Sequence, residues 1–497
     1  MKRFFFWLFL LLGFFGLLFV GLNLFDSRFG PLPAKGTEPA ASLEAGNGFF
    51  ILWGFAAGAG SDPQVPAFQK EIRALVDAPA GTGSPRLRYG QWLARLNAAF
   101  RGEWQGGANL YVPQLPAEDL CAYFASRRDA IQEQRLRLAV PLQRYEQVVR
   151  AAELADFTPL GWEFPARSFL LATHAAKLFA ASRIVAAIDG GWLPACADLF
   201  SAQAAGFKLI ASGRTLMVNR LGKTMVELTL RALAALLNRR DCPPVVARLV
   251  LDQLPVRPVR EFGTQAARDF AWMSFGRALE RVQEEKVIDP SLLKDYFREP
   301  ARFFALERFV AISGPRFFAT IHALAAFFLK KNESTAALHA FWDHVGRLEE
   351  TPPALWMEGP RPAAHLAADL DGGPFWWLRN PLGKMMVRSA VPFTWPVLQH
   401  YVYRSHGLKV RYDLTRLLAM ARLKAEPGGS LSRAALHDLL ATAPEQDPFS
   451  GKPYLFNPES GMLYGVGPDG KDDSGRELPT AWKDSDIAVP INFIKRD

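Results

Sequence analysis

The sequence has few cysteines and histidines, the residue types from which zinc sites and thiol redox sites are built. Only 3 cysteines and 8 histidines occur among 497 residues. The cysteines, Cys121, Cys196 and Cys242, stand far apart, without a C-x-x-C pair or a histidine at metal-ligand spacing, which argues against a zinc motif. Two interpretations of the thiols stay open: small buried hydrophobic side chains, or one disulfide and a spare thiol in an oxidising compartment.

Several signatures of enzymes are also missing. The chain contains no G-x-S-x-G, H-E-x-x-H or Walker A segment. Ser291 and Lys294 fit the S-x-x-K pattern, but the K-T-G and S-D-N motifs that accompany it do not occur, so we interpret this match as chance. His339 and His344 are five residues apart, which separates the two rings around a helix instead of pairing them at a zinc ion.

The charges show little excess of one sign. The formal net charge is +9, and Lys2 and Arg3 contribute two of these charges. The remainder is spread over a large surface without the clustered basic stripe that nucleic-acid binding requires, so we predict no nucleic-acid partner. The surplus suits solubility or attraction to anionic lipid headgroups.

A long hydrophobic run is present at the start of the chain. Residues 4–25 contain one clearly polar side chain, Asn23, and about twenty apolar residues span the ~30 Å hydrocarbon core of a bilayer. The positive-inside rule places Met1 in the cytoplasm and the rest of the chain across the membrane. We therefore predict a single-pass protein of the inner (cytoplasmic) membrane, with its C-terminal domain in the periplasm. A cleaved signal peptide is the alternative, although no small-x-small site follows the run directly.

Hydrophobic periodicity predicts a mainly α fold, and changes in composition along the chain divide it into four segments. They are a transmembrane anchor (1–25), a Pro- and Gly-rich linker (26–48), a helical extracytoplasmic domain built as an irregular array of antiparallel helices (49–405), and a small α+β unit with a short antiparallel hairpin (406–497).

Three local predictions within the helical region are specific enough to check. Residues 165–237 predict three consecutive helices, and in the third of them Lys223, Glu227 and Arg231 are spaced i,i+4 on the side opposite the apolar stripe. The short run Phe49–Trp53 has no decisive period and fits a strand or a buried loop equally well. A further helical stretch, which begins after Lys384, should end at His406-Gly407, where an amphipathic helix begins.

Residues 349–381 are rich in Pro and Gly and include Trp356, Trp376 and Trp377. His365, Asp369 and Asp371 form H-x3-D-x-D, which is interpreted either as a metal site or, in preference, as a helix turn facing water. Glu349 and Glu350 are candidate acid/base carboxylates of a cell-envelope glycan or peptide hydrolase, with its site in residues 349–377. Adjacent carboxylates do not face one another, so such a site needs an acid from elsewhere.

The last hundred residues contain a different set of motifs. A D-P-F-S-G-K-P-Y segment (447–454) is followed by two strand-like runs, an acidic glycine loop (464–475) and a final Asp486-Ile487. This order resembles the C-terminal part of the major pseudopilins of type II secretion, in which a helix, D-P-[WF]-G-x-P-Y, a hairpin, Y-S-x-G-x-D-G and D-I follow one another. The remaining chain resembles single-pass proteins of the bacterial envelope, which implies no particular activity.

The resemblance implies a Ca²⁺ site in the loop. Asp469 would be one ligand and Asp484 or Asp486 a second, while Asp472 and Asp473 have no settled counterpart. Closely spaced carboxylates with glycine suit the six to eight oxygen ligands that calcium takes. A solvated acidic turn without an ion is the alternative.

The resemblance stops at the other end of the chain. Pseudopilins begin with a prepilin-peptidase site and a Glu at the fifth mature position, and residues 1–25 have neither. We therefore predict that the chain is not processed into a pseudopilus. The absence of a catalytic motif, together with the anchor and the large helical surface, predicts a membrane-anchored interaction or scaffold protein with a protein partner in the envelope and no evident catalytic activity.

Overall fold

The computed structural model describes residues 46–55, 119–158, 169–284, 330–356, 380–425, 430–477 and 485–495. Within these ranges the chain is mainly helical and carries a small antiparallel sheet, which confirms the predicted fold class in its coarse form. The predicted anchor (residues 4–25) and most of the linker lie outside the described residues. So do Ser291, Lys294, His365, Asp369, Asp371, Trp376, Trp377 and Asp484.

The described α-helices, numbered in chain order, are α1 Phe49–Trp53, α2 Leu120–Ala125, α3 Arg128–Arg137, α4 Ala139–Arg150, α5 Leu170–Ile188, α6 Trp192–Ser212, α7 Leu216–Leu237, α8 Pro244–Gln253, α9 Gln265–Glu284, α10 Lys331–Glu350, α11 Pro381–Lys424 and α12 Arg433–Thr442. Short 3-10 helices occupy Val259–Phe262 and Pro353–Leu355. The strands are β1 Leu455–Asn457, β2 Met462–Gly465 and β3 Ile487–Pro490.

The run Phe49–Trp53 is a buried helix, so the prediction of a strand or loop was wrong. The side chain of Asn47 accepts from Phe49 N at 3.0 Å and from Ala155 N at 3.1 Å, which ties the start of α1 to the segment after α4. The ring of Phe157 then packs on that of Phe50, with 4.6 Å between the centroids. A five-residue apolar helix is thus held by tertiary contacts, which local periodicity does not record.

Helices α6 and α7 approach each other through two glycines. A Cβ atom placed on Gly222 would lie 2.6 Å from the carbonyl oxygen of Gly206 and 2.9 Å from Ile210 N. Backbone therefore meets backbone, and the two helices pack more closely than side chains would allow. This contact lies in the block where three consecutive helices were predicted, and α5, α6 and α7 confirm that prediction.

Helix α5 is the one described helix that is long and apolar enough to cross a bilayer, with a mean hydropathy of 1.3. Because 56% of its apolar window is buried inside the protein, α5 also has the character of a core helix.

Helix α11 is 44 residues long and runs through the predicted domain boundary between residues 405 and 406. It begins after Asn380, whose φ of 52° is left-handed and whose side-chain oxygen accepts from Lys330 N at 2.8 Å. The expected break at His406-Gly407 was wrong, because the helix continues there.

The sheet has the order β1-β2-β3, with both pairs antiparallel. Phe456 pairs with Leu463, and Leu463 pairs with Val489. The predicted hairpin is therefore present, and the Asp486-Ile487 motif opens a third strand that was not predicted. Leu463 and Val489 belong to the same buried cluster as the helices, so one core runs through both parts of the described chain.

The three cysteines are free and buried, as one of the two interpretations held. Burial raises the pKa of the thiols of Cys121 and Cys242 to about 12 and that of Cys196 to about 11.

Candidate cation site

Asp486 is the central residue of the candidate site. It immediately precedes β3, and its side chain is fully buried. Its Oδ2 accepts from the backbone N–H groups of Asp473 at 3.0 Å and Gly475 at 2.8 Å. Its Oδ1 has no hydrogen-bond partner among the described residues. Burial, followed by the charges of Asp472 and Asp473, raises the pKa of this carboxyl to about 6, although the Gly475 hydrogen bond opposes the shift.

The other acids of the loop make local contacts. Oδ1 of Asp472 accepts from Tyr464 Oη at 3.0 Å and from Ser474 N at 2.9 Å. Oδ1 of Asp469 accepts from Lys471 N at 3.1 Å. Within the described ranges, no three Asp, Glu, His or Cys side chains come close enough together to hold a metal ion. A cation at this loop would therefore need backbone oxygens in addition to carboxylates, which is a ligand mixture that calcium accepts.

Backbone geometry explains the glycines of the loop. Positive φ angles of 70° and 82° occur at Gly470 and Gly475, in a region that glycine enters without steric cost. Ser474 also has a positive φ, of 60°. A Cβ on Gly467 would overlap the carbonyl oxygen of Ser485, so the loop touches the segment before β3 through its backbone. The hydroxyl of Ser485 is itself buried without a partner among the described residues.

The loop also has the G-x-G-x-x-G spacing at Gly465, Gly467 and Gly470. In dinucleotide-binding proteins this motif joins a parallel strand to a helix N-terminus. Here it follows β2 of an antiparallel sheet, and no helix begins within residues 466–477. We therefore assign these glycines to the turn geometry of the loop.

The D-P-F-S-G-K-P-Y segment organises the start of the sheet unit. Asp447 is buried, and its carboxylate accepts from Phe449 N, from Ser450 Oγ at 2.7 Å and from Val466 N at 3.1 Å. Tyr454 Oη donates to Asp413 Oδ2 of α11 at 3.0 Å. The first acid thus joins its own turn to the acidic loop, and the final tyrosine fixes the turn on the long helix.

The carboxylates proposed for the alternative hydrolase do not face each other. Glu349 is 2% exposed and accepts from Thr264 N and, at 2.7 Å, from Thr264 Oγ1. It also pairs with Arg268 Nε at 3.3 Å, whereas Glu350 is exposed. Glu349 therefore joins α10 to the start of α9. Trp356 lies against Tyr403, with 5.4 Å between the ring centroids.

Sequence reasoning missed a buried polar cluster beside Glu349. Lys223 was expected on the surface, but its side chain is fully buried, and Nζ donates to Ser405 Oγ at 2.8 Å. Ser405 Oγ in turn donates to the carbonyl of Tyr401 at 3.0 Å. The neighbouring His406 is buried, and burial lowers its pKa to about 4. The signal available in the sequence was the adjacent Gly222, because a glycine inside a helix often marks a tightly packed face.

No protein-family model, curated protein or solved structure matches this chain at a significant level. The resemblance of residues 406–497 to pseudopilins therefore stays a prediction.

Proposed function

We propose that this chain is a membrane-anchored, extracytoplasmic interaction or scaffold protein of the bacterial envelope, whose C-terminal unit binds Ca²⁺ on its acidic loop. Residues 4–25 anchor it in the inner membrane, since the run is long enough to span a bilayer and carries its positive charge on the short side. The helices from α1 onward then face the periplasm and present their surface to a protein partner. Glu349 is bound to Thr264 and Arg268 as a contact between two helices, and this supports the scaffold role over the alternative of a hydrolase with its site in residues 349–377.

The cation part of the proposal depends on the state of Asp486. Buried polar atoms are normally hydrogen-bonded, yet Oδ1 of this fully buried side chain has no partner among the described residues. A Ca²⁺ ion at that oxygen would compensate the burial of the charge and the repulsion from Asp472 and Asp473. A solvated turn without an ion leaves both costs in place.

The pseudopilin-like character of the unit is supported by its arrangement. A long helix, the Asp447 turn, a hairpin, the acidic loop and the strand after Asp486 follow in the order that the resemblance implies. Tyr454 and Asp447, two of the matching residues, hold these parts to one another.

Calorimetric titration of the full-length chain with CaCl₂ in detergent tests the ion site. We expect saturable binding by the unmodified chain and its loss in Asp486→Asn, which keeps one acceptor oxygen for the loop backbone. Asp438→Asn is the matched control, because this exposed acid of α12 lies outside the loop. Absence of any saturable heat in the unmodified chain would refute the cation site.

Reporter fusions at the C-terminus test the membrane orientation. A reporter that works only outside the cytoplasm should be active, and one that works only inside should be silent. The opposite pattern would remove the periplasmic assignment and the proposed partner together.

A further inference from the structure

Two arginines from different helices meet at the end of the acidic loop. Nη2 of Arg231 in α7 and Nη2 of Arg411 in α11 both donate to Oε1 of Glu477 at 2.8 Å. The side chain of Arg411 is 7% exposed and that of Glu477 is 10% exposed. Because charged groups that are buried together are costly to separate, these contacts hold residue 477 in one place on the helical array.

Arg411 also reaches the other side of the candidate site. Its Nη1 donates to the carbonyl of Ala488 at 3.3 Å, and Ala488 lies in β3, two residues after Asp486. On the near side, Gly475 lies two residues before Glu477 and donates its N–H to Asp486. One guanidinium therefore holds the chain on both sides of the carboxylate that we place at the centre of the site.

We infer that Arg411, assisted by Arg231, is a positioning residue for the cation site on the acidic loop. This inference rests on the proposed Ca²⁺ site. Neither arginine is a ligand, since a guanidinium has no lone pair to offer a metal. The pair acts by aligning the loop backbone and Asp486 before the ion arrives, as outer-shell residues do for metal ligands in general.

Electrostatics and positioning predict opposite results for this pair. An arginine near a cation site repels the ion, so removal of its charge should tighten binding if charge alone mattered. If Arg411 acts by positioning, removal should weaken binding even though a repulsive charge has been lost. The direction of the change therefore separates the two effects.

The experiment is a calorimetric CaCl₂ titration of the full-length chain and of three variants. We expect Arg411→Gln to weaken Ca²⁺ binding about tenfold or more, the range found when outer-shell partners of metal ligands are removed. Arg231→Gln should have a smaller effect in the same direction, because among the described residues Arg231 pairs with Glu477 and Glu227 but makes no hydrogen bond to β3. Arg183→Gln is the matched control: Arg183 bridges Glu146 at 3.1 Å and Asp198 at 2.9 Å within the helical array. It should leave the affinity unchanged.

Each outcome decides the inference. Tighter or unchanged binding by Arg411→Gln, with an unmodified helical circular dichroism spectrum, overturns it and leaves the Ca²⁺ site standing. No binding by the unmodified chain removes the site and the inference with it. If Arg411→Gln does not fold, Arg411→Lys replaces it, because a single ammonium cannot serve Glu477 and Ala488 as the guanidinium fork does. Weakened binding by this folded variant supports the inference, and unchanged binding overturns it.

Discussion

Lys223→Met tests the physical consequences of burying an amine between helices α7 and α11. Burial lowers the pKa of Lys223 to about 7. The carboxylate of Glu349 acts in the opposite direction, while Arg404 and Arg268 add to the lowering. In the folded chain the amine therefore loses its proton near neutral pH, whereas in the unfolded chain it keeps the proton up to about pH 10.4.

The sign of the pH dependence follows from this difference. Between those two pH values Lys223 binds one more proton in the unfolded state than in the folded state, so the contribution of Lys223 to the free energy of unfolding rises with pH. One proton changes the folding equilibrium constant about tenfold per pH unit. Across the whole window this amounts to roughly 5 kcal/mol. Below about pH 7 both states carry the proton, and the penalty for burying the charge is complete.

The assay is urea unfolding of the full-length chain in detergent at several pH values between 7 and 10, followed by circular dichroism. The methionine variant lacks the titrating group, and Ser405 keeps its hydrogen bond to the carbonyl of Tyr401. We expect the unmodified chain to gain stability relative to the variant as pH rises, by about tenfold in equilibrium constant per unit.

Lys208→Met is the control, because this exposed lysine only donates to the carbonyls of Ala151 and Ala152 at 2.9 Å. Its stability curve should run parallel to that of the unmodified chain. If the Lys223→Met curve is parallel as well, Lys223 does not titrate near neutral pH, and the reasoning from burial is refuted.

Three further predictions follow from packing and burial. Gly222→Ala should destabilise the chain in thermal unfolding by about 1–3 kcal/mol, despite the better helix propensity of alanine. Gly407→Ala is the control and should destabilise the chain less, because a Cβ there meets only Ile487 Cδ1, at 3.1 Å. Equal effects of the two variants would contradict the close approach of α6 and α7. Tyr454→Phe should lower the free energy of unfolding by about 1–3 kcal/mol, since it removes a hydrogen-bond donor from buried Asp413. An unchanged melting temperature would argue against that hydrogen bond. The three buried thiols should react with a maleimide far more slowly in the folded chain than in urea, and equal rates would show that they are accessible.

Periodicity was sufficient to predict the helices whose burial is decided along one face. Helices α6 and α7 are examples, because their apolar residues recur over five or more turns. It was insufficient where a single tertiary contact decides the outcome. Phe49–Trp53 is helical because it packs on Phe157, and Lys223 is buried because α11 covers it.

The candidate site could be predicted as a set of residue types but not as a geometry. The Asp and Gly spacing of residues 464–475 indicated an acidic loop, and the structure places Asp486 beside it. It was not possible to foresee that Asp469 and Asp472 would turn to neighbouring donors of the loop. The contact of Glu477 with two helices was equally hidden, because those partners lie 66 and 246 residues away in sequence.

The uninterrupted course of α11 has a mechanical consequence. At 44 residues, and with about 1.5 Å of rise per residue, this helix has a contour length of roughly 65 Å. Its later half carries the sheet unit, and its side chains also pack among the helices of the array. A load applied to the C-terminal sheet would be transmitted along this helix into the rest of the molecule, because the helix continues without a break from residue 381 to residue 424.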